Sequence, residues 1–305
     1  ATAHDLAERA ADRRLRAEVM LARGMVEQRE GRADQAIALL AEAAEAFAAL
    51  GDHDGQARSL RERAQVEILG GRMASAERSA TQALEAFTVL EDLAGQGWAH
   101  QNLAWIAFIS GQLAVADGHA QAAVELFANL DDGHGSGWAW GILAWIRFQQ
   151  GQVDEAGRLA DLTAERAQAM GDPWALAITQ MLTASIRLWS GETDLAIEMA
   201  SAARLGFERL ADTWGEGQAA AILGRALVMS GAVDAGLDML DAAGAARSGP
   251  VEDPDGDEAW DNGRLPRLVR AAVAVQLGQP SLAEDIEDDL RPVAAAGGVE
   301  AASLL

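Results

Sequence analysis

Two stretches of the chain carry side chains suited to binding chemistry: Trp98, Gln101, Trp105 and Phe108, and then Trp138, Gly141, Trp145 and Phe148. Each set follows i, i+3, i+7, i+10, the recurrence of one helix face. Five of the nine tryptophans lie in these two stretches. The same positions in the surrounding sequence, shifted by multiples of 40, hold Arg58, Arg61, Gln65 and Ile68 upstream. Downstream they hold Ile178, Met181, Ser185 and Leu188, with Trp189 alongside, and then Gln218, Arg225 and Val228. Tryptophan and arginine dominate binding hot spots, because a rigid aromatic face or planar guanidinium is desolvated at small entropic cost. The chemistry predicted is noncovalent capture, with apolar burial or stacking in an aromatic centre and guanidinium groups at both ends. An aromatic stripe at helical spacing also serves as packing between helices, and the residues alone leave that alternative open.

Covalent chemistry has no such support. No nucleophile sits beside a base, and no catalytic residue or cofactor is predicted. The chain has no cysteine, which excludes disulfides and thiolate metal sites. His4, His53, His100, His119 and His134 never pair at i, i+4 around an acid, so no metal set is predicted. His100 is expected at the interior or rim of a helix pair, in a structural role. Asp253, Asp255, Asp257 and Glu258 echo a calcium loop but lack the distal glutamate and flanking helices. Residues 131–137 read as turn chemistry, since a nucleophile elbow needs a preceding strand. The Gly-x-Gly pairs starting at Gly95, Gly135 and Gly215 likewise follow no strand and are not dinucleotide fingerprints.

The net charge of −23 argues against nucleic acid and anionic membrane as partners, both being polyanions. No uncharged apolar run approaches the roughly 18 residues that a membrane span needs. The first residues lack the layout of a signal peptide, so a cytoplasmic location is expected. All 24 basic residues are arginine, as in proteins from GC-rich bacterial genomes.

The elements that position these side chains follow from a 40-residue repeat. Glycines recur at Gly31, Gly71, Gly111, Gly151, Gly191 and Gly231. Small residues keep register at Gly24, Ala64, Ala104, Ala144, Ala184 and Gly224, and again at Ala36, Ala76, Ala116, Ala156, Ala196 and Gly236. A third small column is Ala43, Ala83, Ala123, Thr163, Ala203 and Ala243. Acids mark Asp12, Asp52, Asp92, Asp132, Asp172 and Asp212. Phe47, Phe87, Phe127 and Phe207 precede Leu50, Leu90, Leu130 and Leu210 by three positions, with Met170 completing the second column. The aspartates are predicted N-caps, and Pro173 after Asp172 suits a first helical position. A first helix of about four turns, for example 98–110, ends at the phased glycine, which takes the left-handed conformation at no steric cost. A second helix, for example 113–130, runs to the Phe-x-x-Leu pair. The small columns are expected where helices approach closely, and the Phe and Leu columns as scaffold.

This pattern resembles the tetratricopeptide repeat, as in Ala104, Gly111, Ala116 and Ala123. The period exceeds the usual length of about 34. It is similar to arrays in large bacterial signalling ATPases, including maltose-activator-like and antibiotic-regulator-like transcription factors. Segments 95–106 and 137–146 look most like actinobacterial proteins that carry nucleotide-cyclase domains. The resemblance implies an all-α fold, a right-handed α-solenoid of about six to seven helix-turn-helix repeats whose first helices line a concave groove. It implies that Arg58, Arg61, Trp98, Gln101, Trp105, Phe108, Trp138, Trp145, Phe148, Ile178, Met181, Trp189 and Arg225 line this groove. The expected function is a protein-interaction or sensor module, regulatory in a larger signalling protein, that binds an apolar or amphipathic peptide segment. Sensing of a small, sugar-like molecule and structural self-association with another copy stay open.

Helix pairs are expected near 14–50, 55–90, 95–130, 135–170, 173–210 and 214–247. Residues 1–11 read as the tail of an earlier helix, which suggests a segment of a longer or processed protein. Residues 248–263 read as an acidic loop rich in Pro and Gly, and 264–305 as an atypical pair, near 265–277 and 281–293, that caps the array.

Overall fold

A helix starts where its unpaired first-turn amides find an acceptor. In the computed structural model Asp52, Asp92, Asp132, Asp172 and Asp212 each accept from the amide three residues on, that of Gly55, Gly95, Gly135, Ala175 or Gly215, at 2.9–3.1 Å. The structure describes residues 13–130, 132–245, 269–270, 272–274 and 276–278. Among the described residues there are twelve long helices and no strand. They are α1 (Arg13–Arg29), α2 (Ala33–Ala49), α3 (His53–Leu69), α4 (Met73–Val89), α5 (Leu93–Ile109), α6 (Leu113–Asn129), α7 (Gly133–Gln149), α8 (Val153–Met170), α9 (Pro173–Trp189), α10 (Thr193–Arg209), α11 (Thr213–Met229) and α12 (Val233–Ala245). Odd-numbered helices are the first of each pair. Asp12, residues 1–11, the 248–263 segment and the helix expected at 281–293 lie outside the described residues.

The turn within each pair is built on the phased glycines, with φ between 74° and 95° at Gly31, Gly71, Gly111, Gly151, Gly191 and Gly231. This is the left-handed region that β-carbons disfavour. Turns between pairs are less strict, and Glu91 (φ 56°) and Ala211 (φ 54°) adopt the same region without being glycine.

Packing across the columns is a matter of matched size. A β-carbon on Gly24 would lie 2.6 Å from Leu40, and one on Gly224 would lie 2.7 Å from Leu240. In the four repeats between them Ala replaces both partners: Ala64 with Ala80, Ala104 with Ala120, Ala144 with Ala160, Ala184 with Ala200. A second pairing joins consecutive repeats. The rings of Phe47, Phe87, Phe127 and Phe207 lie over Gly55, Gly95, Gly135 and Gly215, where a β-carbon would come within 2.2–2.3 Å of the ring. Where Ala167 replaces the phenylalanine, Ala175 replaces the glycine. The first glycine of each Gly-x-Gly pair is therefore a seat for an aromatic ring. The Phe residues are fully buried, but Leu50, Leu90, Leu130, Met170 and Leu210 are 38–49% exposed. Leu50, Leu90 and Leu210 cap their helices, where the chain leaves the packed layer, so this column is not core.

The chain divides into two compact units within α7, at Ala139/Trp140, with the turn Ser110–Leu113 grouped with the second. In the first unit α1 to α5 each pack on their sequence neighbours, and α3 also meets α1 and α5. In the second, α9 packs on α8, α10 and α11. There the described part of 269–278 is helical up to residue 276, and Val273 packs with Ala221 and Leu240.

Candidate functional site

The first unit gathers an aromatic and polar cluster on its first helices. Trp98 on α5 sits edge-on to Phe127, centroids 5.1 Å apart, and against the His134 ring at 5.3 Å. Phe127 itself belongs to the core cluster with Ala123 and Ala139, so Trp98 rests on scaffold with part of its surface still open. The Arg61 guanidinium carbon lies 6.0 Å from the Trp98 ring centroid, at the outer limit of a cation–π contact. Trp138 donates its indole N–H to His134 Nε2 at 3.2 Å. Asn102 donates from Nδ2 to the Arg61 carbonyl at 3.2 Å, tying α5 to α3. Two turns along from Trp98, Trp105 meets Phe108 edge-on at 5.7 Å.

Gln101 stands one turn from each tryptophan and is only 5% exposed. Its Oε1 is buried without a hydrogen-bond partner, an arrangement that costs about 1–3 kcal/mol. Glu67, also buried, is saturated by comparison: it accepts from Arg63 at 2.7 Å, Ser75 at 2.6 Å and Ser79 at 2.8 Å. Unlike Glu67, the Gln101 carbonyl has no donor among the described residues.

The upstream arginines are already engaged. Arg58 pairs with Glu18 at 2.9 Å and Asp54 at 3.1 Å. Burial opposes its charge, but the two carboxylates outweigh this and hold its pKa above the ordinary value. Arg61 pairs with Glu62.

Of the six residues expected in the second unit, three are interior and three are not. Trp145 is 9% exposed and meets Phe148 at 6.5 Å, while Ile178 is 6% and Met181 4% exposed. Phe148 and Arg225 are partly buried, and Trp189 is 74% exposed. A hollow of about 520 Å³ is lined by Arg14, Leu50, Gly51, Asp52, His53, Asp54 and Leu90, and none of the expected groove residues borders it.

Sequence reasoning did not anticipate Asn102 or His134 at the cluster. His134 lies in a glycine-rich turn, and its only signal was its register: the same position one and two repeats later holds Trp174 and Trp214. Trp174 is committed elsewhere, donating to the cap residue Asp212 at 2.7 Å. No group of three or more His, Asp or Glu among the described residues is placed to hold a metal ion. No described helix is long and apolar enough to cross a membrane.

Residues 15–88, spanning α1 to α4, match the family model of the tetratricopeptide repeat. Residues 15–88 are thus tetratricopeptide repeats, and the later helix pairs repeat the same 40-residue pattern. Solved structures of the same fold include a Rap protein complexed with competence and sporulation factor (TM-score 0.71, 16% identity, covering 95% of this chain and 77% of that one). Aspartyl phosphate phosphatase F from Bacillus subtilis is similar (TM-score 0.62, 16% identity, 97% of this chain and 75% of that one). So is a signal transduction ATPase with a tetratricopeptide repeat sensor from Pyrococcus horikoshii (TM-score 0.55, 14% identity), of which the match spans 43% while covering 92% of this chain. The search of curated proteins found no match. Tetratricopeptide arrays are a protein-interaction fold, and at these identities the likeness speaks to the fold alone.

Proposed function

We propose that this array is the regulatory interaction module of a larger signalling protein and binds an apolar or amphipathic peptide segment along α5. The observation that carries this reading is the unpartnered, buried carbonyl of Gln101, one turn from the partly open rings of Trp98 and Trp105. A peptide offers both complements: side chains to cover the indoles, and N–H donors for Oε1. Phe108 and Trp138 extend the apolar face, with Arg58 and Arg61 at its α3 edge. The second unit, taken by itself, keeps Phe148 and Arg225 partly open and Trp189 exposed. A Rap protein of this fold is solved with competence and sporulation factor, and an ATPase of this fold uses its repeats as a sensor. Both support a regulatory reading.

The test is selection of a displayed peptide library on the immobilised chain. Enriched peptides are expected to carry aromatic or aliphatic side chains, and to lose binding to Gln101→Met and Trp105→Ala proteins that still melt cooperatively. Failure to enrich any peptide, or equal binding by both variants, would refute the proposal.

A further inference from the structure

His100 is on α5 and His119 on α6, 19 residues apart, a separation that matches no helical period. The hairpin that turns at Gly111 brings them level. Their Nδ1 atoms are 2.9 Å apart, with ring centroids at 5.1 Å and planes tilted by 41°. Both rings are partly buried, so solvent reaches the pair. Burial holds His100 below the ordinary imidazole pKa, and the neighbouring His119 adds to this. Burial also lowers His119, against the opposing pull of Glu77 from α4. Two neutral imidazoles are the form that ligates a metal.

Without an ion, the pair is held by one Nδ1–H donating to the other Nδ1, so the two rings adopt different tautomers. A metal ion removes that asymmetry, because both Nδ1 lone pairs then point to one acceptor and both rings carry Nε2–H. The geometry is close to what this needs. Two nitrogens on a tetrahedral zinc, with bonds of about 2.0–2.1 Å, lie about 3.3 Å apart. The observed 2.9 Å must therefore widen by only about 0.4 Å. Imidazole is also the donor that suits zinc, nickel and copper. With no third His, Asp or Glu grouped here among the described residues, water fills the remaining positions.

We propose that His100 and His119 form a two-histidine site for a divalent transition-metal ion of the zinc class, clipping α5 to α6. Such a clip fixes the helix that carries Trp98, Gln101 and Trp105, but the site stands whether or not a peptide binds there.

The experiment uses the untagged chain and zinc chloride. Zinc is expected to raise the melting temperature over that of the same protein in EDTA, saturating at one ion per chain. In His100→Gln and His119→Gln, each compared with its own EDTA baseline, zinc affinity should drop about tenfold or more. His53→Gln should keep the wild-type increment. Two-bond nitrogen–proton NMR of the wild-type histidines provides a second reading that does not depend on any variant folding: saturating zinc should convert both rings to the Nε2–H tautomer. If the increment persists in His119→Gln, the ion is held by the chain's 47 carboxylates and the proposal falls. It falls equally if the wild-type pair keeps mixed tautomers at saturating zinc.

Discussion

Helices α5 and α9 hold the same place in their repeats but treat their polar groups in opposite ways. In α9 every hydroxyl after the first turn is bonded back along the helix: Thr179 to the Ala175 carbonyl, Thr183 to that of Thr179 and Ser185 to that of Met181, at 2.8–3.1 Å. Its Ile178, Met181 and Leu188 are buried. In α5 the matching positions carry Trp98, Gln101 and Phe108, with the two aromatics partly open and the glutamine carbonyl buried but unpaired. A short hydroxyl side chain reaches its own helix, whereas a glutamine's longer arm carries its carbonyl away from it. The hydroxyls of α9 are thus satisfied within the helix, whereas α5 keeps an unpaired carbonyl beside partly open aromatic rings. Register alone did not distinguish them.

The largest expected effect tests whether α5 depends on its aromatic plug. Phe127→Ala empties the seat between Gly97 and Gly135 and the platform under Trp98. Urea denaturation should show a loss of about 3–5 kcal/mol, with peptide capture lost as well. The counterpart beside α9 is Phe207, fully buried over Gly215, whereas Ala167 and Ala175 stand where Phe87 and Gly95 meet on the other side of α5.

The contrast is sharpest between a buried residue of α9 and a partly open one of α5. Met181→Ala is expected to cost about 2–5 kcal/mol by the same measurement, because the cavity is internal. Trp105→Ala should cost only about 1 kcal/mol and instead remove binding. An equal loss from both substitutions would make Trp105 core and erase the distinction.

Gln101→Met carries an opposite sign. Replacing an unsatisfied acceptor with an apolar side chain of similar length should stabilise the chain by about 1 kcal/mol in denaturant while abolishing capture of selected peptides. Destabilisation would mean that the carbonyl is already paired.

The smallest effect is at the α3 edge. Arg58→Ala breaks the exposed pairs with Glu18 and Asp54 and should cost roughly 0.2–1 kcal/mol. The loss should shrink in high salt, as measured by melting at two ionic strengths.

Much of the scaffold was legible because its determinants are near in sequence. An aspartate caps an amide three residues away, a glycine takes a positive φ by itself, and Phe87 meets Gly95 only eight positions on. The aromatic centre was legible as a cluster, and Trp98 and Trp138 do converge on His134. Its exposure was not. Trp105 and Trp145 are equivalent in register, yet one is partly open and the other buried. The Leu50 column was expected as scaffold, but it is partly exposed, and Leu50 itself lies at a cap where the chain turns outward.

By itself, then, the amino-acid order determined the period, the capping aspartates and turn glycines, and the matched sizes of neighbouring columns. These depend on backbone conformation and on volumes at fixed short separations. Only the tertiary structure decided which tryptophans keep open surface, that the Gln101 carbonyl has no partner, and that His100 faces His119. Those outcomes depend on how far each side chain reaches across a packed interface. A repeat fixes which helices meet, but not which atoms on them come within bonding distance.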